Sequence, residues 1–166
     1  MSTLTINDKE HTLKFSVLVD KYLNKHIKRD DAEGKPEREK VSGGIAKVLP
    51  LLIEQDIEGL MYVWEAVATL KGEKKVTTDD ILLAIENRME EDGDAATMFK
   101  EVLDAIDDSV FSRNELKKFV KNMKLVSEMK SKDEEEAEKM KMMLKRMNEG
   151  YKEITGRELF EENQPA

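Results

Sequence analysis

The chain has 166 residues, with 28 Lys and Arg against 36 Asp and Glu, for a formal charge of −8. Apolar and charged residues each make up 39% of it, there is no cysteine, and no stretch approaches the roughly 18 apolar residues of a membrane span. Disulfides, zinc–thiolate sites and thiol catalysis are therefore excluded, and the acidic balance opposes general binding to a phosphate backbone. The length suits one domain, or one domain with an appendage, and a chain near this size hides roughly 70% of its unfolded surface. The opening residues lack a basic region followed by an apolar one, so no signal peptide is expected and a cytoplasmic home is natural.

Taken in order, Thr3–Ile6 and His11–Phe15 alternate with period two, placing Leu4, Ile6, Leu13 and Phe15 on one apolar face. Asn7-Asp8 between them suits a tight turn, so the spacing predicts a β-hairpin. Two strands are marginal alone and must lie on helices or pair with another chain. A helix is predicted from Ser16 or Val17 to about Arg29, burying Val19, Tyr22, Leu23 and Ile27, followed by a charged loop over 30–40. The most apolar stretch, Val41 to Leu70, is expected to be the heart of the core, with Pro50 breaking or kinking it. Gly43-Gly44 there marks a helix start or close packing.

Thr77-Thr78-Asp79-Asp80 reads as a helix start, a Thr cap followed by acids. That helix is expected to run to about Glu91 and bury Ile81, Leu82, Ile85 and Met89. Past Gly93, Ala95, Met98, Phe99, Val102, Leu103 and Ile106 recur at helical spacing. Ser112 is expected to cap a further helix with Leu116, Phe119, Val120 and Met123 inside. Residues 113–149 contain neither Gly nor Pro and form one long helix or two, with the break at Ser131-Lys132-Asp133. From Gly156 onward the chain reads as a fraying end in which Leu159 and Phe160 are apolar enough to dock. The fold class is mainly α, a bundle or array of about six to seven helices with a small N-terminal hairpin. Residues 1–124 form the hairpin and helical core, and 125–166 a Met-rich helical extension.

Catalytic patterns are missing. His11 and His26, the only histidines, have no ligand spacing and read as surface or structural. There is no phosphate-binding glycine loop, no nucleophile elbow, and the Glu90–Asp94 run fails as a calcium loop because Arg88 falls at its first ligand position. No enzyme, metal or cofactor is expected. The positive signal is methionine: Met123, Met129, Met140, Met142, Met143 and Met147 place six of ten within 25 residues. Flexible thioethers suit recognition of varied apolar partners, which nominates Met123, Val126, Met129, Met140, Met143, Leu144 and Met147 for partner binding. The same rhythm, Ala137, Met140, Leu144, Met147, Tyr151 and Ile154, equally suits a core stripe or a self-association seam.

Charge is segregated. Residues 79–108 hold eleven acids against two bases, and 113–132 hold seven bases against two acids. Such segments attract one another as packed helices or as contacts between copies, so a homo-oligomer is open. The basic run, with Phe119 as its aromatic company, also offers an alternative function, a DNA-associated helical regulator, although a solvated face is the simpler reading and nucleic acid is not the expected partner.

The order of these features resembles a known family. Leu4-Thr5-Ile6-Asn7-Asp8-Lys9-Glu10-His11-Thr12-Leu13-Lys14-Phe15 is similar to the hairpin INGKEYTLKF that opens many small phage tail proteins, with Asp8 where the turn glycine usually stands. Val76 through Ile81, Glu90 through Gly93, Met98 through Asp104 and Phe119 through Lys124 continue the likeness. Over residues 4–124 the chain resembles the tail assembly chaperones of siphophages from Gram-positive hosts. The resemblance implies a non-catalytic helical protein of the infected host's cytoplasm, absent from the mature virion. Such proteins coat the tape measure protein, keep it soluble and help recruit tail tube subunits, and they are often encoded with a longer frameshifted form. It carries over no individual binding residue.

Overall fold

The computed structural model describes residues 2–27, 43–72, 75–128 and 134–160, with the side chains of 126–128 and 137 outside that description. Strand β1 (Thr3–Ile6) pairs antiparallel with β2 (Lys9–Thr12) in the register Leu4 opposite His11 and Ile6 opposite Lys9. Asn7 and Asp8 have φ of 50° and 63°, the two left-handed residues a two-residue hairpin turn needs, and Asn and Asp tolerate that region better than other side chains. Leu4, Ile6, Leu13 and Phe15 are all buried, as the alternation predicts. The second strand begins two residues earlier than expected, and His11 joins the apolar face, fully buried, its Nδ1 3.0 Å from the Lys9 carbonyl oxygen.

Seven helices follow among the described residues. Helix α1 (Val17–His26) is capped by the Ser16 side chain, which accepts from Val19 N–H, and it buries Val19 and Leu23. It stops at His26 rather than Arg29, with Ile27 already extended. The expected charged loop lies outside the described residues. Helix α2 (Gly44–Ile53) runs on for three residues past Pro50, so of the expected break or kink the break does not occur. Proline lacks the N–H that would bond the Ala46 carbonyl and its ring crowds that carbonyl, costs that burial of Leu49, Leu52 and Ile53 offsets. The chain turns instead at Gln55, whose φ is 56°, and restarts as α3 (Ile57–Leu70) under the Asp56 cap.

Helix α4 (Thr78–Asp92) opens with a full capping box. Thr77 Oγ1 accepts from Asp80 N–H at 3.1 Å, and the Asp80 carboxylate accepts from Thr77 N–H at 2.9 Å. It closes at Gly93, φ 78°. Helix α5 (Ala96–Asp108) buries Met98, Phe99, Val102, Leu103 and Ile106, leaving Ala95 exposed at its cap position. Helix α6 (Val110–Glu128) starts before Ser112, which therefore does not cap it. The Ser112 hydroxyl is buried and donates to the Ile106 carbonyl at 2.5 Å, tying the end of α5 to the start of α6. Helix α7 (Glu134–Thr155) is separate from α6 and packs back on it, so 113–149 is two helices. The expected break itself lies outside the described residues.

Helix α2 is the hub, with α1, α3, α5, α6 and α7 packed against it. Two of these approaches depend on a missing side chain. A Cβ on Gly44 would stand 2.1 Å from the Asp20 carbonyl oxygen and 2.5 Å from Leu23 Cβ, so α1 crosses α2 in backbone contact. A Cβ on Gly150 of α7 would stand 2.8 Å from Ile53 Cγ2 and 3.4 Å from the Ile53 carbonyl oxygen. The hairpin lies outside this hub and is fastened to α4. Arg88 donates to the Thr3 carbonyl at 2.8 Å and pairs with Asp92 at 3.0 Å and Glu101 at 2.6 Å, while Asn7 donates to Asp80 at 3.1 Å.

Two outcomes are expected. Gly44→Ala should destabilise by about 2–3 kcal/mol in urea titration, because rigid backbone must move. Gly150→Ala should destabilise by less, about 1 kcal/mol, because buried Ile53 must shift but Ala gains about 1 kcal/mol of helix propensity. The hydrogen bond from the Thr77 backbone N–H, helped by Asn7 and the Thr77 hydroxyl, holds the Asp80 carboxyl below the usual range. Its contribution to stability is thus present above the ordinary carboxylate value and lost as pH falls through the depressed one. Acidification should lower the melting temperature less in Asp80→Asn than in the parent chain, as read by circular dichroism.

Candidate functional site

Five of the seven nominated residues have described side chains, Met123 on α6 and Met140, Met143, Leu144 and Met147 on α7, and the structure divides them. Leu144 and Met147 are buried, at 7% and 8% exposure, and Met147, Tyr151 and Ile154 belong to the same core as α2 and α3. Met123 is half-buried against that core and Met140 is half-buried on α7. Met143 is 42% exposed. The Val126 side chain and Met129 lie outside the described residues.

This division follows from helix geometry. From Leu144 onward α7 carries buried residues at 144, 147, 148, 151, 154 and 155, a continuous stripe at 3–4 spacing turned to the body. In the preceding turns, residues 134–136, 138, 139 and 141–143 are exposed. Glu134, Glu135 and Glu136 occupy the first turn, where the helix dipole favours them. Met142, outside the nominated set, is the most exposed methionine among the described residues, at 64%. Its position one residue before Met143 is the sequence signal for it. Adjacent helical residues diverge by about 100°, so both cannot follow Leu144 inward.

The far end of α7 is locked. Gly156 (φ 76°) reverses the chain, and Asn148 Oδ1, buried, accepts from Leu159 N–H at 2.8 Å and from Phe160 N–H at 3.4 Å. Both Leu159 and Phe160 therefore dock, and the Lys124 ammonium sits 5.1 Å from the Phe160 ring centre. Arg157 pairs with Asp104 of α5 at 2.8 Å. Burial pushes the Asp104 carboxyl up, but Lys100 and Arg157 outweigh it and hold the group below its usual value.

Two other features bear on chemistry. A cleft of about 560 Å³ lies between β1 and α4, lined by Thr3, Thr5, Asn7, Asp80, Asn87 and Arg88 among others. Its polar groups are largely committed to the ties that fasten the hairpin, and it brings no nucleophile to a base. No cluster of metal-ligating side chains occurs among the described residues, and no described helix is long and apolar enough to cross a membrane. On α6 the exposed Arg113, Lys117, Lys118 and Lys121 form a basic strip, but Phe119 is buried and cannot stack on a base.

Residues 3–121 match the family model described as phage tail assembly chaperone protein, TAC. The chain belongs to that family. No curated protein and no solved structure shows significant similarity to it. The matched span takes in the hairpin, α1 to α5 and most of α6, the stretch over which the sequence resemblance was drawn. Helix α7 lies beyond it, so the family match leaves the exposed methionines of this tail assembly chaperone unassigned.

The split between buried and exposed methionines is directly measurable. In limited peroxide oxidation followed by peptide mapping, Met142 and Met143 should convert first, and Met98 and Met147 last. Equal rates for Met142 and Met147 would contradict the packing of α7.

Proposed function

We propose that this chaperone binds the tape measure protein, keeps it soluble and helps bring tail tube subunits to it, acting in the host cytoplasm and leaving before the virion is mature. Membership of the family supports the role, and the observation that carries the binding mode is the exposure of Met142 and Met143 just before the buried stripe of α7 begins. The tape measure protein is taken to present amphipathic helices. Methionine side chains, unbranched and polarizable, adapt to helical surfaces that differ along a long partner.

In this reading residues 1–124 are the scaffold, contributing Met123 at its end, and 125–166 carry the rest of the contact through Val126, Met129, Met140 and Met143. Leu144 and Met147 act from beneath, holding α7 in place. No catalytic step is invoked. Contact between copies would use the acidic face of α4 and the basic face of α6, helices that both pack on α5. A phage of a Gram-positive host is the natural source.

Co-expression with a neighbouring tape measure protein, followed by size-exclusion chromatography with light scattering, tests this. The expected result is co-elution in a large soluble complex of a partner that is insoluble alone. Met142→Ser combined with Met143→Ser should reduce the co-eluting fraction severalfold while leaving the melting temperature within a few degrees of the parent, because both side chains are exposed. A tape measure protein that stays insoluble with and without the chaperone would sink the proposal.

A further inference from the structure

The surroundings of the exposed methionine pair say which kind of helix it fits. On a helix, neighbours on the surface are three and four residues apart. For Met142 these are Lys139, Lys145 and Arg146, with Glu138 as the single acid, and for Met143 they include Lys139 and Arg146 again. The pair is thus set among three cations and one carboxylate, in a chain whose formal charge is −8. Lys139, Lys145 and Arg146 are exposed, and among the described residues none of them forms an ion pair. Elsewhere on the body Lys100, Arg157 and Lys118 each hold a carboxylate of their own chain, whereas Arg113, Lys117 and Lys121 of α6 show no ion pair among the described residues but flank no exposed methionine.

We infer that the turns of α7 around Met142 and Met143, residues 139–146, dock an amphipathic helix whose apolar stripe is flanked by Asp and Glu, the thioethers of Met142 and Met143 meeting the stripe and Lys139, Lys145 and Arg146 meeting the acids. The inference deepens the tape measure reading, on which it rests for the partner's identity, by fixing the partner's charge pattern. Thioethers alone accept any apolar surface, so the cations supply selection. They attract acidic-flanked helices and repel basic-flanked ones, an effect that acts on association rate and weakens with salt. The local cations also let a strongly acidic protein approach an acidic segment without net repulsion at the point of contact.

The test uses the full chain and two labelled peptides of about three heptads with the same leucine stripe, one flanked by Glu and the other by Lys. In fluorescence anisotropy at low salt the Glu peptide should bind about tenfold tighter than its Lys twin, with the preference shrinking as salt rises. The triple variant Lys139→Glu, Lys145→Glu, Arg146→Glu should reverse the preference. Met142→Ser with Met143→Ser should weaken the Glu peptide about tenfold. A circular dichroism melt of each variant, expected to match the parent, shows that the fold is intact.

Equal binding of the two peptides, binding of neither, or an unchanged preference in the triple variant overturns the inference. So does a surface taken by something else: duplex DNA, anionic vesicles or a second copy of the chain, each lost in the same triple variant while the peptides show no preference. The two readings separate cleanly. Glu-peptide binding without tape measure co-elution upholds the charge rule and sinks the tape measure reading. Tape measure co-elution undiminished in the triple variant does the reverse.

Discussion

Helix α2 sets the terms for the rest of the molecule. Its sequence, Gly44 to Ile53, has one charged residue in ten, and six of the ten are buried. A helix apolar on almost every side must be covered on almost every side, and five other helices do so. Cover of that completeness needs close approach, which the chain provides by omitting side chains at crossing points: Gly44 where α1 passes, Gly150 where α7 passes. The same requirement explains why α7 cannot be a free-standing extension. Met147, Tyr151 and Ile154 are needed to seal the side of the core left open by the other helices.

What the sequence makes legible follows from the strength of each local signal. The hairpin and the start of α4 are set by short-range chemistry, an Asn-Asp turn and a Thr cap with Asp at the third position, and both appear where expected. Apolar periodicity likewise picks out the buried residues of α5 and α6. Errors arise where a residue's usual behaviour is overridden by its surroundings. His11 shares the parity of Leu13 and Phe15, but its polarity hides that it belongs to the same face. Pro50 normally ends a helix, yet burial of Leu49, Leu52 and Ile53 on both sides of it outweighs one lost hydrogen bond. Ser112 has the chemistry of a cap and is used instead to accommodate the α5 terminus from inside the next helix.

The candidate site shows the same limit in another form. A methionine-rich amphipathic stretch is visible in the sequence, but whether a given thioether faces a core or a partner depends on which helices arrive beneath it. Leu144 and Met147 meet the body, and Met142 and Met143 do not. The boundary between the structural and the recognising portion of α7 therefore falls inside a single helix, near Leu144, rather than at a linker. Changes of stability and of binding are then separable by position along one element, a few residues apart.

Asp20 offers a different kind of consequence. Its carboxylate oxygen accepts from Ile45 N–H at 2.9 Å, capping a helix that begins more than twenty residues later, and the backbone contact at Gly44 fixes the same junction. The start of α2 is thus anchored by α1 itself. Gly43, which stands at the cap position of α2, has no side chain to accept from the first turn, and a carboxylate of another helix takes its place. One residue therefore serves two helices, and its loss would loosen a crossing as well as a helix end.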